Sequence, residues 1–327
     1  MKRREFITLI GGMTSWPVTA RAQQPIIPLI GFLSGRSRAE TVAVIGQFQK
    51  GLAESGFVEG RNLRVEYRWA EGRYERLPIL ARELLNLRPN VIVATGGNVT
   101  ALAAKAATST IPIVFVAGAD PIKSGLVGSL NRPDGNVTGV SLFIAELASK
   151  RLELLREIVP KMRILGIVMN PNNPAGLDEA QDVEARATAL SLGIQRLNVR
   201  GGGSDLEQAL AVAQGGIDAV FITNDPFLID IRDQLIRITA ERALPTVYFT
   251  RDFVEAGGLI SYGANIGDGY HKVGIYTARV LTGVRPADLP VQQPTKFELV
   301  INLKTAKLLG LNVPFGLLST ADEVIEQ

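Results

Sequence analysis

Asp120 and Asp225 each stand directly before a proline, and each follows an apolar run, "IPIVFVAGAD" in one case and "AVFITND" in the other. A carboxylate there has two uses. It can cap the helix or turn that follows, or it can face a cleft and pair with a ligand ammonium. Gly96-Gly97-Asn98 follows a third apolar run, "VIVAT", and opens an alanine-rich helical stretch. Two glycines at that point leave backbone N–H groups unobstructed at the positive end of the helix, a seat for a carboxylate. Asn98 can equally act there as an ordinary cap. Tyr248, Tyr262 and Phe227 offer rings for stacking on an aromatic or apolar ligand group; core packing is the stronger alternative for Phe227 than for the tyrosines, whose hydroxyls want polar partners. Arg36 and Arg38 suit a carboxylate chemically, but their loop, "SGRSRAE", reads as solvated.

Signs of catalysis are sparse. His271 is the single histidine, set between Tyr270 and Lys272 in a helical stretch, and it reads as solvent-facing or capping. The chain has no cysteine, which excludes disulfides, thiolate catalysis and cysteine-ligated metal. "GFLSG" at 31–35 has the wrong spacing for a nucleophile elbow. There is no phosphate-binding loop and no glycine fingerprint after the first strand. "GGGSD" at 201–205 reads as a surface turn into a helix capped by Ser204. No His/Asp/Glu cluster has metal-ligand spacing. The expectation is a protein that is not an enzyme, with no cofactor and no metal.

The elements that position these residues come in a regular order. Strands at 27–34, 63–70, 91–95 and 113–116 alternate with helices at 43–56, 76–87 and 98–108. That order predicts a parallel, doubly wound sheet. A Gly/Pro/Asn-rich passage, "NRPDGNVTG" at 131–139, then reads as a break, and the pattern restarts. Helices at 145–158, 178–191, 205–213 and 227–242 alternate with strands at 164–170, 194–199, 219–223 and 246–250. "PNVIVATGGNVTALAAKAATSTIPIVFV" from Pro89 and "IDAVFITNDPFLIDIRDQLIRITAERALPTVYFT" from Ile217 are one unit written twice, with Thr95 answering Thr223. The fold class is therefore α/β: two similar, doubly wound parallel-sheet domains. The tail, with a strand at 257–263, a helix at 269–283 and a further strand and helix within 297–311, is too short for a third domain and must join the other two. The chain then crosses between domains more than once, which makes a hinge around a cleft. The expected division is 23–141 plus 262–285 against 142–261 plus 286–327. Ligands of open parallel sheets sit at the carboxyl ends of strands. The candidate binding residues are therefore Ser34, Ser37, Gly97, Asn98, Asp120, Asn170, Thr223, Asn224, Asp225, Tyr248 and Tyr262.

The first 22 residues, "MKRREFITLIGGMTSWPVTARA", read as an export signal cut after Ala22, and Arg3-Arg4 resembles a twin-arginine signal. Lys2, Arg3, Arg4 and Arg21 against Glu5 account for the whole +3 of the chain, so the remainder is neutral. The basic balance therefore gives no reason to expect nucleic acid or a membrane surface as a partner. Without a lipid-bearing cysteine or a second long apolar stretch, no membrane anchor is expected, and the periplasm is the expected location.

"TIPIVFVAGADPIKSGLVGSLNRPDGNVTGVS" at 110–141 and "AGGLISYGANIGDGYHKVGIYTARVLTGVRPADLPVQQPTKFELVINLKTAKLLGL" at 256–311 resemble bacterial ABC-transporter substrate-binding proteins. The subgroup includes binders of tryptophan and other aromatic amino acids. The resemblance covers essentially all of the chain after the leader. It implies the type I periplasmic-binding fold with three crossings and a small-molecule ligand, an amino acid or related organic acid. It also implies delivery to an ABC permease driven by a separate ATPase. A monomer is expected. An exported module that signals to a membrane receptor kinase would share the fold and remains the alternative.

Overall fold

The computed structural model describes residues 27–213 and 216–326. The export signal expected at 1–22 lies outside the described residues. Five short runs in the first part of the chain form strands β1 (Leu29–Ser34), β2 (Arg64–Trp69), β3 (Val91–Thr95), β4 (Ile113–Ala117) and β5 (Val137–Ser141). They pair in the order β2-β1-β3-β4-β5, all parallel. β3, β4 and β5 are buried at every residue, as a parallel sheet covered on both faces requires. β2 alternates in sequence and is the half-buried edge. Helices α1 (Arg38–Glu54), α2 (Leu77–Asn86) and α3 (Asn98–Ala107) cover this sheet.

Two expectations change in this lobe. α1 begins at Arg38 rather than 43, because Ser37 caps it by accepting from the Glu40 N–H at 3.3 Å. The passage read as a domain break runs into β5, whose first three residues it contains. Its Gly139 lies so near β4 that a Cβ would be 2.2 Å from the Phe115 carbonyl oxygen, so the glycine serves close strand approach and not chain reversal.

The pattern restarts with α4 (Ala148–Ile158), β6 (Ile164–Met169), α5 (Pro174–Ala189), β7 (Gly193–Asn198), α6 (Gly203–Ala211) and β8 (Ala219–Ile222). Two helices, α7 (Pro226–Asp230) and α8 (Arg232–Glu241), replace the single one expected at 227–242. β9 (Thr246–Tyr248), α9 (Arg251–Glu255) and β10 (Ile260–Ala264) follow. The chain then returns to the first lobe as α10 (Ile266–Leu281) and comes back as β11 (Phe297–Asn302), α11 (Leu303–Leu308), α12 (Phe315–Thr320) and β12 (Glu323–Ile325). The second sheet runs β7-β6-β8-β9-β10-β11-β12, parallel except where β11 pairs with β10. Its first five strands repeat the topology of the first sheet. The twice-written unit is thus β3-α3-β4 in one lobe and β8-α7-α8-β9 in the other, the third and fourth strands of each.

The chain crosses between lobes three times: after β5, between β10 and α10, and between Gln292 and β11. Both later crossings fall further along than 262 and 285. Tyr262, Gly263 and Ala264 are laddered to β11, and Ala264 pairs with Phe297. Gln292 still belongs to the first sheet, donating to the Gly139 carbonyl and accepting from the Ser141 N–H. α10 packs on α1 so tightly that a Cβ on Gly51 would lie 2.1 Å from the His271 carbonyl oxygen. One apolar core fills the first lobe and continues into one face of the second sheet; a separate core holds the other face.

Candidate ligand-binding site between the lobes

In a 2-1-3-4-5 sheet the connections diverge between the first and third strands, and a crevice opens at their carboxyl ends. Here the two crevices face each other. A cavity of about 510 Å³, measured out to its open mouth, lies between them. The first lobe contributes Arg36 after β1, Gly96, Gly97 and Asn98 after β3, and Val116, Ala117 and Gly118 at the end of β4. The second lobe contributes Asn173, Ala175, Asn224, Pro226 and Ile229. Leu142, Ile144 and, from α10, Ile266 and Tyr270 complete walls that are mostly apolar. An adjoining cavity, larger at about 1010 Å³ by the same measure, shares Asn98, Asn173 and Ala175 but is charged, with Asp120, Lys123, Glu146, Asp178, Glu179 and Asp182 on its walls.

Direct bonds hold the lobes together. Tyr74, in the loop after β2, donates its hydroxyl to Asp225 Oδ1 at 2.8 Å. Arg36 Nε donates to Asp230 Oδ1 at 2.8 Å, and the Ser37 N–H to Asp230 Oδ2 at 2.6 Å. Glu40 pairs with Arg232. On the opposite rim Lys123 stands 3.7 Å from Asp178. Asp225 is wholly buried and accepts in addition from the Phe227 N–H at 2.7 Å and Asn173 Nδ2 at 2.8 Å. Burial lifts its carboxyl to about 6, against the pull of the bonds from Asn173 and Tyr74. Burial likewise raises Asp230, with Arg36 opposing, and the Tyr74 hydroxyl, with Asp225 adding to the rise.

The residues singled out from sequence separate into three groups. Gly97, Asn98 and Asn224 line the main cavity, and Asp120 lines the charged one. Asn98 does not cap its own helix; no side chain caps the start of α3. Its amide instead clasps the loop after β4, accepting from the Ala119 N–H at 3.2 Å and donating to Ser124 Oγ at 3.0 Å. Asp120 caps a turn, accepting from the Ile122 N–H at 2.7 Å.

A second group shapes the loops from beneath. Ser34 Oγ accepts from the Arg36 N–H, and Ser37 caps α1. Asn170 Oδ1 accepts from the Asn172 N–H. Thr223 donates to the Val168 carbonyl, and Asp225 caps α7 while bonding Tyr74.

The two tyrosines form the third group and do not line either cavity. Tyr248 is buried in the core, its ring stacked on Phe253 at 4.6 Å. Tyr262 sits in mid-strand, paired with Leu299 and half-buried against the far-face core, its ring 6.2 Å from that of Phe297.

Sequence reasoning passed over Tyr74, Asn173 and Asp230, and it set Arg36 aside as solvated. Arg36 is only 5% exposed, because the opposite lobe covers it. It also passed over a wholly buried ion pair, Arg151 on α4 with Glu179 on α5. Glu179 Oε2 accepts from the Asn224 N–H at 2.7 Å and so holds a wall residue from behind. Burial pushes Glu179 upward against the pull of Arg151. Among the described residues Arg151 Nε and Nη1 have no hydrogen-bond partner, and the guanidinium lies 5.1 Å from the centre of the Phe221 ring. His271 bonds Glu54 at 3.0 Å on the outside of the first lobe, away from both cavities.

Two α/β lobes joined by three crossings, with a cavity at facing switch points, are the architecture of a small-molecule binding protein. The chain belongs to the family of ABC transporter substrate binding proteins, whose profile matches residues 27–325. A tyrosine-binding protein from Clostridioides difficile is 27% identical over 81% of this chain and 75% of its own. Among solved structures, an ABC domain from Streptococcus pneumonia in complex with L-Trp is 25% identical, with a TM-score of 0.81 over 91% of this chain and 99% of that one. A conserved domain protein from Vibrio cholerae is 26% identical, with a TM-score of 0.82 over the same shares. The fold is the type I periplasmic-binding one.

Proposed function

We propose that this chain is the solute receptor of an ABC importer. It captures an amino acid, aromatic or otherwise apolar, or a related organic acid, between its lobes and delivers it to a membrane permease powered by an ATPase on a separate chain. The observation that carries this reading is the composition of the main cavity. The start of α3 at Gly97-Asn98 offers the positive end of a ten-residue helix to a carboxylate. Val116, Leu142, Ile144, Ile266 and Tyr270 offer an apolar surface to a side chain. The carboxylates of the adjoining cavity give an ammonium group a favourable side to face. The tyrosine-binding relative and the L-Trp complex support the same ligand class.

The mechanism in this reading is a population shift. Ligand atoms that touch both lobes do so only when the cleft is closed, so binding favours closure, and the closed form is what the permease receives. Residues 1–22 would be an export signal that leaves the receptor as a monomer in the periplasm, with no nucleic acid and no membrane anchor among its partners.

A thermal-shift screen of residues 23–327, unfolded and refolded to remove carried-over ligand, tests the reading against amino acids, aromatic acids and small sugars. A ligand present at about 100 times its Kd should add about 2.7 kcal/mol of stability. A rise confined to amino acids or organic acids is expected. A rise with sugars alone, or none across the panel, contradicts the assignment.

A further inference from the structure

The loop from Thr223 to Phe227 of the second lobe meets the first lobe at three glycines. A Cβ on Gly72 would lie 2.6 Å from Phe227 Cδ2, one on Gly97 3.1 Å from Pro226 Cγ, and one on Gly118 2.2 Å from Asn224 Nδ2. These glycines follow β2, β3 and β4, so one short loop rests on the ends of three strands. The loop cannot easily step back. Thr223 is bonded to Val168, Asn224 to Glu179, and Asp225 to both Tyr74 and Asn173.

The three positions are not equivalent. Gly72 and Gly97 have φ of +71° and +94°, so a side chain there strains the backbone whatever the lobes do. Gly118 has no such φ, and its backbone tolerates alanine. The three atoms nearest to its missing Cβ all belong to the Asn224 side chain, on the other lobe. Both residues also line the ligand cavity.

We propose that Gly118 is the position that sets closure: its bare Cα is a notch, the Asn224 side chain is the peg that enters it, and the fit determines how near the lobes come over the ligand. This rests on reading the seam as a cleft that closes on a ligand. Gly118 acts through lobe approach and not through ligand contact, so it is a positioning residue.

The chain has no cysteine of its own, which makes site-directed labelling clean. Spin labels on Arg82→Cys in the first lobe and Gln181→Cys in the second, both exposed, report lobe separation by double electron–electron resonance. L-Tyrosine and L-tryptophan serve as probes. The parent is expected to show a short distance that either amino acid enriches. Gly118→Ala is expected to move the population to longer distances and to weaken binding about tenfold or more, because apparent affinity falls with the closed fraction. Asn224→Ala, added to Gly118→Ala, removes the opposing atoms and should restore the short distance seen in Asn224→Ala alone. Asn224→Gln lengthens the peg and should act like Gly118→Ala, which covers the case of a Gly118 variant that does not fold. Gly46→Ala, with nothing among the described residues within 4 Å of the new methyl, should change neither reading. An unchanged distance distribution in Gly118→Ala, or no restoration in the double variant, overturns the proposal. So does a parent with no short distance under any condition. A short distance that neither amino acid alters contradicts the ligand reading alone, and the Gly118 comparison then stands on the ligand-free protein.

Discussion

Asp225 concentrates the site's electrostatics in one side chain. It was legible as a capping residue or a cleft carboxylate, and it is a cap that also crosses the cleft, because Tyr74 reaches it from the other lobe. Tyr74 itself was not legible. It lies in a loop after an edge strand, and only the closed approach of two lobes gives its hydroxyl a partner. The raised carboxyl of Asp225 has a definite consequence for stability. Its folded value of about 6 exceeds the ordinary value near 4, so between those limits the native state binds more protons than the unfolded chain. Stability therefore rises as pH falls through that window, by up to about 2–3 kcal/mol from this group, and the burial penalty is fully present above it. Glu146 and Asp230 are also raised, burial being the first cause in each, so they share the sign. The melting temperature should climb from pH 7.5 to 5, and Asp225→Asn should climb less. Identical slopes in the two proteins would show that Asp225 does not carry the effect.

Elements were read more securely than side-chain directions. The alternation of apolar runs and helical stretches sufficed for two parallel sheets, and the repeated unit fell on equivalent strands of each. The misplaced features have physical causes. β5 was hidden by Gly139, a glycine required by the closeness of β4. Tyr248 was placed in the cleft because it lies at the end of a strand, and Tyr262 because it lies near an expected crossing. Strand pleating instead carries the Tyr248 ring into the core and leaves Tyr262 half-buried against the far-face core. The Arg151–Glu179 pair lies in α4 and α5, where a sequence reader assigns arginine and glutamate to solvent. Glu179→Gln leaves the Arg151 charge buried without its counter-charge, and should cost about 3–5 kcal/mol in urea unfolding. Removing both charges together, as Arg151→Met with Glu179→Leu, should cost less than the single change. Equal losses would mean that the pair matters through shape and not charge.

At the scale of the whole molecule, three crossings let two lobes approach while each keeps its own sheet, and the bonds from Tyr74, Arg36, Glu40 and Lys123 are made only when the lobes are close. In the proposed reading that arrangement would convert ligand contact into a change of shape. The class was legible from the repeat and from the family resemblance; the ligand was not, because the cavity walls come from loops of two lobes whose meeting no single run of sequence describes. The central claim is that the main cavity holds an amino acid by its carboxylate at the start of α3. Isothermal titration of the refolded chain with L-tyrosine and L-tryptophan, beside tyramine and tryptamine, tests it most directly. The expected result is saturable one-site binding of at least one amino acid, with the amine lacking its carboxylate at least about tenfold weaker, the loss of one charge-assisted hydrogen-bonding group. Equal binding of acid and amine, or no binding of either amino acid, would contradict it.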